Sequence, residues 1–297
     1  MSIYTTCPKQ STNITKPSQK HPCFNSNAHG QFGRIHLPVS YACNIQCRFC
    51  VRSRNDSEQR PGVTKKILTP TQSLKIVDRA LRLCPEITVV GIAGPGDALA
   101  NDVALNTFDL IHKKYPDLIM CLSTNGLCLP DYVDSLPDVG VRTITVTINA
   151  VKPEIISKIV SHIFWDNKKI VGESMGKILI ERQLKGIQLA AKIGLTVKVN
   201  TVLIPEINDF HIADVAYAAC KAGATIFNII PLIPQGEFAN TTPPNCNALQ
   251  KAKSAATQYL EVFEHCKHCR ADACGIPGVN EFSTQIYQEK METFSHG

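Results

Sequence analysis

The sequence predicts an α/β protein built as a partial (β/α)6 TIM-like barrel, and three observations carry that prediction. Six short β-type runs alternate with helical runs from Gly33 onward, the pattern of βα units around a parallel sheet. Within those runs one face is polar and the other aliphatic. At their carboxyl ends gather residues able to bind metal or donate and accept hydrogen bonds.

The strand candidates are 33–39, 87–93, 118–124, 143–149, 196–203 and 226–233. Strand residues two apart share a face. Arg34 and His36, Thr143, Thr145, Thr147 and Asn149, and Thr196, Lys198 and Asn200 therefore line one side. Ile35, Leu37, Ile144, Val146, Ile148, Val197 and Val199 line the other and suit burial under helices. A closed eight-stranded barrel fills its interior with branched aliphatics, so a polar lumen implies an open barrel holding a large polar or charged ligand. Helical signals separate the strands. Thr69-Pro70 reads as a cap with proline at the first helical position, followed by Leu74, Val77, Leu81 and Cys84 at helical spacing.

At 297 residues the chain suffices for one barrel-sized domain. Its 44% hydrophobic and 19% charged residues describe a globular protein with a substantial core. Residues 1–31, rich in Ser, Thr, Asn, Lys and Gln, read as a flexible arm carrying Cys7, His21, Cys23 and His29; 32–264 form the barrel, and 265–297 a C-terminal cluster-binding extension. No apolar run reaches the ~18 residues of a membrane span, and no signal peptide is visible, so no membrane association and a cytoplasmic location are expected. The net charge of +6 comes from scattered Lys and Arg without interleaved aromatics, which argues against nucleic acid.

Thirteen cysteines, an odd number and clustered, fit metal binding in a reducing compartment better than a disulfide framework. Cys84, Cys220 and Cys246 sit in helical runs and read as core residues, since free Cys packs as a small hydrophobe. Cys7 reads as incidental, and Cys128, just past a strand end, stays open. The central feature is Cys43-Asn44-Ile45-Gln46-Cys47-Arg48-Phe49-Cys50. A closed zinc site uses four protein ligands and four-iron clusters are usually held by four thiolates. Three closely spaced thiolates leave one coordination position open.

That C-x3-C-x2-C spacing resembles the signature of radical S-adenosylmethionine (SAM) enzymes, in which SAM chelates the open iron. The later strand ends agree: Gly94-Pro95-Gly96-Asp97 after the second, Cys121, Ser123 and Asn125 on one face at the third, and Asn149 at the fourth. In order along the chain, His21-Pro22-Cys23-Phe24, Phe32-Gly33-Arg34-Ile35-His36-Leu37-Pro38, Cys43-Asn44-Ile45-Gln46-Cys47, Arg60-Pro61-Gly62-Val63-Thr64, Gly94-Pro95-Gly96-Asp97 and Cys266-Lys267-His268-Cys269-Arg270-Ala271-Asp272-Ala273 resemble the NifB family of nitrogenase cofactor biosynthesis. The resemblance spans about His21 to Val279.

The resemblance implies a cofactor maturase of the lyase type with SAM and three four-iron clusters. One cluster is SAM-binding, on Cys43, Cys47 and Cys50. One precursor cluster sits on Cys23, His36 and Cys121, and another on Cys266 and Cys269 with Cys274 as candidate third ligand. It implies SAM contacts at Phe49, Asp97, Ser123, Asn125 and Asn149. The implied reaction transfers a methyl group to a cluster sulfide and abstracts hydrogen from it. It fuses two four-iron clusters, with a SAM-derived carbide and an extra sulfur, into the 8Fe-9S-C precursor of the nitrogenase cofactor. Implied partners are an iron–sulfur cluster donor, a reductant such as ferredoxin or flavodoxin, and downstream scaffold or carrier proteins.

One departure stands out. In the family, the loop before Arg60-Pro61-Gly62 carries a Cys shortly ahead of a Glu; here residues 51–59 are one residue shorter and contain no Cys, while Glu58 remains as the candidate catalytic carboxylate. The chain ends at Gly297, so a stand-alone form without a C-terminal carrier domain is expected. Two other readings stay open on sequence alone: a radical SAM enzyme whose auxiliary clusters serve modification of a peptide or small organic substrate, and a non-catalytic iron–sulfur or zinc scaffold.

Overall fold

The computed structural model describes residues 16–266 and 269–287; Cys7 lies outside them. Six parallel strands form the centre: β1 (Gly33–His36), β2 (Ile87–Ile92), β3 (Ile119–Thr124), β4 (Val141–Thr147), β5 (Thr196–Leu203) and β6 (Ile226–Pro231). They lie side by side in chain order, so each βα unit delivers the next strand to its neighbour. Short strands extend both edges: Glu261–Val262 pairs parallel with β6, and Cys274–Gly275 antiparallel with β1. Each of the six predicted runs is a strand.

The aliphatic faces pack outward against helices. Ile35, Leu37, Ile144, Val146, Val197 and Val199 share one core with Ile76, Val77 and Ala80 of α1 (Pro70–Leu83), Phe108 and Ile111 of α2 (Val103–Lys114) and Ile187 of α3 (Gly172–Lys192). Val215 and Ala219 of α4 (Ile212–Ala222) and Ala252 of α5 (Cys246–Ala256) complete it. The start of α1 follows its chemistry. Gln72 N–H donates to Thr69 Oγ1 (3.3 Å) while Thr69 N–H donates to Gln72 Oε1 (2.9 Å), a reciprocal cap ahead of Pro70. Cys84 and Cys220 are buried as predicted, although Cys220 is disulfide-bonded rather than a free thiol, and Cys246 is exposed: it opens α5 outside the packed face that Ala252 and Ala256 bury.

Two features depart from the sequence reading. The arm is docked from Lys16 onward, because Phe24 and Ala28 are each 1% exposed and Thr88 Oγ1 donates to Lys20 O at 2.7 Å. The motif Ile45–Cys47 is itself a strand, paired antiparallel with Val160–Trp165, which continues into Lys168–Ile170. The turn of that hairpin is Asp166-Asn167 at φ 50° and 57°, the left-handed pair of a type I′ turn. Among the described residues no helix is long and apolar enough to cross a membrane.

Candidate active site

The cysteine loop is fastened from three sides. On one, Gly96 N–H donates to Ser40 O (2.8 Å), Asp97 N–H to Ala42 O (2.9 Å) and Ser40 Oγ to Asp97 O (2.6 Å). Gly96 is required by this approach: a Cβ there would sit 2.7 Å from the Tyr41 carbonyl carbon and closer still to Ala42 O. The hairpin and the end of the helix before it hold the second side, through Phe164 N–H to Asn44 O (2.8 Å) and Arg48 N–H to Ile159 O (2.9 Å). On the third, Glu237 N–H donates to Arg48 O (2.8 Å) and the Glu237 carboxylate pairs with the Arg48 guanidinium.

Asp97 belongs to this fastening rather than presenting a free acceptor. Its buried carboxylate accepts from Leu99 N–H (2.8 Å), Thr124 Oγ1 (3.0 Å) and Asn125 N–H (2.5 Å), tying the loop after β2 to the end of β3. Burial pushes its pKa up, against the pull of those donors. Asn125 Nδ2 donates to Asn44 Oδ1 (2.7 Å), and Asn44 Nδ2 to Cys128 Sγ (3.0 Å), so Cys128 anchors the motif. Asn149 Oδ1 accepts from Val202 N–H (2.9 Å) across β4 and β5.

These elements enclose a cavity of about 360 Å³ at the carboxyl ends of the strands, where parallel α/β proteins bind ligands. Cys43, Cys47 and Cys50 line it together with Phe49, Asp97, Ser123, Asn125 and Asn149. Cys23, His36, Cys121, Cys266 and Cys269 line the same cavity. Cys266 and Cys269 are brought there by the chain that follows them. Ala271 N–H donates to Val63 O (2.9 Å), His36 N–H to Ala273 O (2.8 Å), and a buried Arg270–Asp272 ion pair (2.8 Å) takes Lys65 N–H on its carboxylate (2.7 Å).

Two predicted residues are not brought there. Cys274 is fully buried in the aliphatic core beside β1. It pairs with Ile35, on the outward face, whereas Gly275 pairs with the lumen residue Arg34. Glu58 does not line the cavity either. Its carboxylate accepts from Ser53 Oγ (3.0 Å) and Asn55 Nδ2 (2.5 Å) and pairs with Arg60, and these hydrogen bonds, Asn55 foremost, lower its pKa.

The thiols sit where burial disfavours charge. Burial, with Asp97 next, pushes Cys43 up to about 11; burial and the neighbouring cysteines push Cys47 well up; burial pushes Cys23 up to about 12. Thiolates are stable there only with a cationic partner, which a metal centre supplies. Burial brings His36 down to about 4, leaving a neutral imidazole. Its Nδ1 lies 3.3 Å from Arg270 O, which as acceptor fixes the Nδ1–H tautomer and frees Nε2 as a metal donor. Among the described residues no three His, Cys, Asp or Glu side chains are placed to hold a single metal ion. The donor set of soft thiolates with one imidazole suits iron–sulfur clusters.

Sequence reasoning missed Gln183 and left His21 unassigned. Gln183 of α3 is 2% exposed, and its Nε2 donates to Asn125 O (2.7 Å) and Thr147 O (2.9 Å), joining the ends of β3 and β4. A buried Gln on an otherwise apolar helix face was its signal.

Residues 37–217 match the Radical SAM superfamily model. The SuiB structure from Streptococcus suis superposes with TM-score 0.55 at 14% identity, covering 76% of this chain and 47% of that one; anSMEcpe with bound AdoMet superposes with TM-score 0.53 at 14% identity, covering 76% and 62%. With the three-cysteine motif and the open parallel barrel, these define a radical SAM enzyme, a class that carries a four-iron cluster and SAM. Closer relatives are the FeMo cofactor biosynthesis proteins NifB of Methanocaldococcus infernus (44% identity, 91% of this chain, 90% of the relative) and Methanocaldococcus jannaschii (44%, 93% and 95%). The Klebsiella pneumoniae NifB is 45% identical over 89% of this chain, which spans 58% of that longer protein. The chain belongs to the NifB family.

Proposed function

We propose that this enzyme acts in FeMo cofactor biosynthesis by fusing two four-iron clusters, with insertion of a SAM-derived carbide and an extra sulfur, into the 8Fe-9S-C precursor. The observation that carries the reading is the wall of the cavity. Where a radical SAM enzyme of organic substrates needs groups that recognise carbon, nitrogen and oxygen, Cys23, His36, Cys121, Cys266 and Cys269 face the same space as the SAM-cluster cysteines. A substrate held by soft ligands is a metal cluster.

The division of labour follows. Cys43, Cys47 and Cys50 hold the SAM cluster, which supplies reductive cleavage of SAM when bound. Phe49, Ser123, Asn125 and Asn149 border the SAM position, with Asp97 and Gln183 setting the backbone around it. Cys23, His36 and Cys121 hold one precursor cluster, and Cys266 and Cys269 the other. Imidazole exchanges more readily than thiolate, which suits His36 to a cluster that must leave. Such a reaction needs a cluster donor, a low-potential reductant such as ferredoxin or flavodoxin, and a downstream scaffold or carrier as partners.

The test is anaerobic incubation of fully loaded protein with SAM and reductant but no organic substrate. Both S-adenosylhomocysteine and 5′-deoxyadenosine are expected. Deoxyadenosine without S-adenosylhomocysteine would sink the assembly reading and favour an organic substrate.

A further inference from the structure

Deep in the barrel, β5 places Lys198 between Val197 and Val199 with its side chain on the cavity wall and only 4% exposed. Its Nζ donates to Cys23 O at 2.9 Å and lies over the rings of Phe24 (4.6 Å) and Phe263 (5.4 Å). Among the described residues no carboxylate pairs with it. A buried ammonium left with one carbonyl and two ring faces is only partly compensated, so this position is built for an anion that completes it.

Two further donors lie close by, His21 on that wall and Arg34 behind the wall residue Cys269. His21 is 2% exposed and lines the cavity, and its Nδ1 accepts from Cys23 N–H at 3.1 Å. In the neutral ring the proton is then on Nε2, and Nε2 is buried without a partner. That tautomer donates and cannot ligate a metal. Arg34, 4% exposed, donates to Cys269 Sγ (3.3 Å) and Gly275 O (2.9 Å), while its Nε is likewise buried without a partner. Glu281 is 3.8 Å from this guanidinium and half exposed.

We propose that Lys198, with the Nε2–H of His21, forms a cationic subsite that grips the sulfide faces of anionic iron–sulfur cargo between its two sets of protein ligands, with the Arg34 guanidinium adding positive charge from behind Cys269. The chemistry selects that anion. Cys23, Cys121, Cys266 and Cys269 surround the subsite, and each thiolate adds negative charge to the metal centre it binds. Inorganic sulfides bridging iron accept N–H hydrogen bonds, and such bonds tune a cluster's potential. Lys198 also lies close enough to act electrostatically on Cys23, Cys121, Cys266, His21 and His36, whereas the main charges near Cys43 and Cys47 are the other motif cysteines, Asp97 and Arg52. The subsite therefore serves the cargo end of the cavity and not the SAM end. This inference rests on the cluster-cargo reading above.

The test compares full-length wild type, Lys198→Met and Lys198→Arg after anaerobic loading with ferrous iron and sulfide. Methionine keeps the stem length and removes the charge; arginine keeps the charge. The readouts are iron per chain under chelator challenge and the midpoint potentials of the clusters, with the SAM-perturbed spectrum of the SAM cluster as folding control. Lys198→Met is expected to keep the SAM-cluster signal, to hold auxiliary iron about tenfold more weakly, and to move the auxiliary potential to more negative values. Lys198→Arg is expected to restore both. Unchanged auxiliary iron and potential in Lys198→Met would overturn the subsite while leaving the cluster-cargo reading intact. A wild-type chain that takes up only the SAM cluster's iron would overturn that reading and the subsite with it. If Lys198→Met loses the control signal, His21→Phe carries the same test: it keeps the ring and removes the donor, and selective weakening of auxiliary iron is again expected, its absence overturning the subsite.

Discussion

Gly91 of β2 pairs with His36 of β1, and a Cβ on Gly91 would lie 2.9 Å from His36 Cδ2 and 3.5 Å from Nε2. The missing side chain is the room in which the imidazole sits. Gly91→Ala should therefore push the ring off its Nδ1 contact with Arg270 O rather than disrupt the strand, since the ring end can move where backbone cannot. The expected cost in stability is modest, about 1 to 2 kcal/mol. The expected chemical result is selective loss of one auxiliary cluster, read as iron per chain, with the SAM-cluster spectrum retained. An unchanged auxiliary spectrum would separate His36 from cluster binding.

Gly96 poses the opposite case. A Cβ there meets the backbone of Tyr41 and Ala42, which cannot rotate away. Gly96→Ala should break the Gly96–Ser40 and Asp97–Ala42 hydrogen bonds and release the cysteine loop. A loss of about 3 kcal/mol is expected, together with loss of the iron–sulfur charge-transfer absorbance of the SAM cluster. Thermal melts of apo and loaded protein, compared with Gly91→Ala, would show whether the two glycines guard different ends of the cavity.

The barrel was legible because its determinants are local. Alternation along Thr143–Thr147 and Thr196–Asn200 assigns faces without knowledge of neighbours, and C-x3-C-x2-C fits within one loop. What failed depended on pairing or on competition. Cys274 lies close to Cys269 in sequence, yet its face is set by an antiparallel register with β1 that no local pattern reveals. Glu58 is a carboxylate in the expected place, but Ser53, Asn55 and Arg60 in its own loop consume it. The Val160–Ile170 hairpin carries no candidate ligand to mark it in the sequence, although it supports the cysteine strand and turns at Asp166-Asn167.

Cys269 and Cys274 should separate cleanly on mutation. Cys269 lines the cavity and accepts from Arg34, whereas Cys274 is in the aliphatic core. Cys269→Ala should lower auxiliary iron with little change in apo stability. Cys274→Ala should leave iron per chain unchanged and lower stability by about 1 kcal/mol, measured by urea denaturation of the apo protein. Loss of iron in Cys274→Ala without destabilisation would restore it as a ligand.

Removal of the clusters should expose a distinctive alkaline weakness. Burial raises the folded-state pKa of Cys43 to about 11 and of Cys23 to about 12, against an ordinary thiol value of 9.0. A folded pKa above the unfolded one means that the folded chain holds these protons more tightly. The associated stability is fully present below pH 9.0, the unfolded value, and is lost as pH rises through about 11 to 12. Apo protein should therefore unfold at progressively lower urea between those limits. Cys84, raised to about 11, and Cys274, raised to about 12, contribute the same trend as core thiols, and burial raises the cavity thiols Cys47, Cys50, Cys121 and Cys266 as well. Cys43→Ala combined with Cys23→Ala should reduce the slope by the share of those two thiols, and loading with iron and sulfide should flatten it further in the wild type if the proposed ligands bind as thiolates. An apo chain whose urea midpoint does not fall across this window would show that these thiols are not desolvated in the folded state.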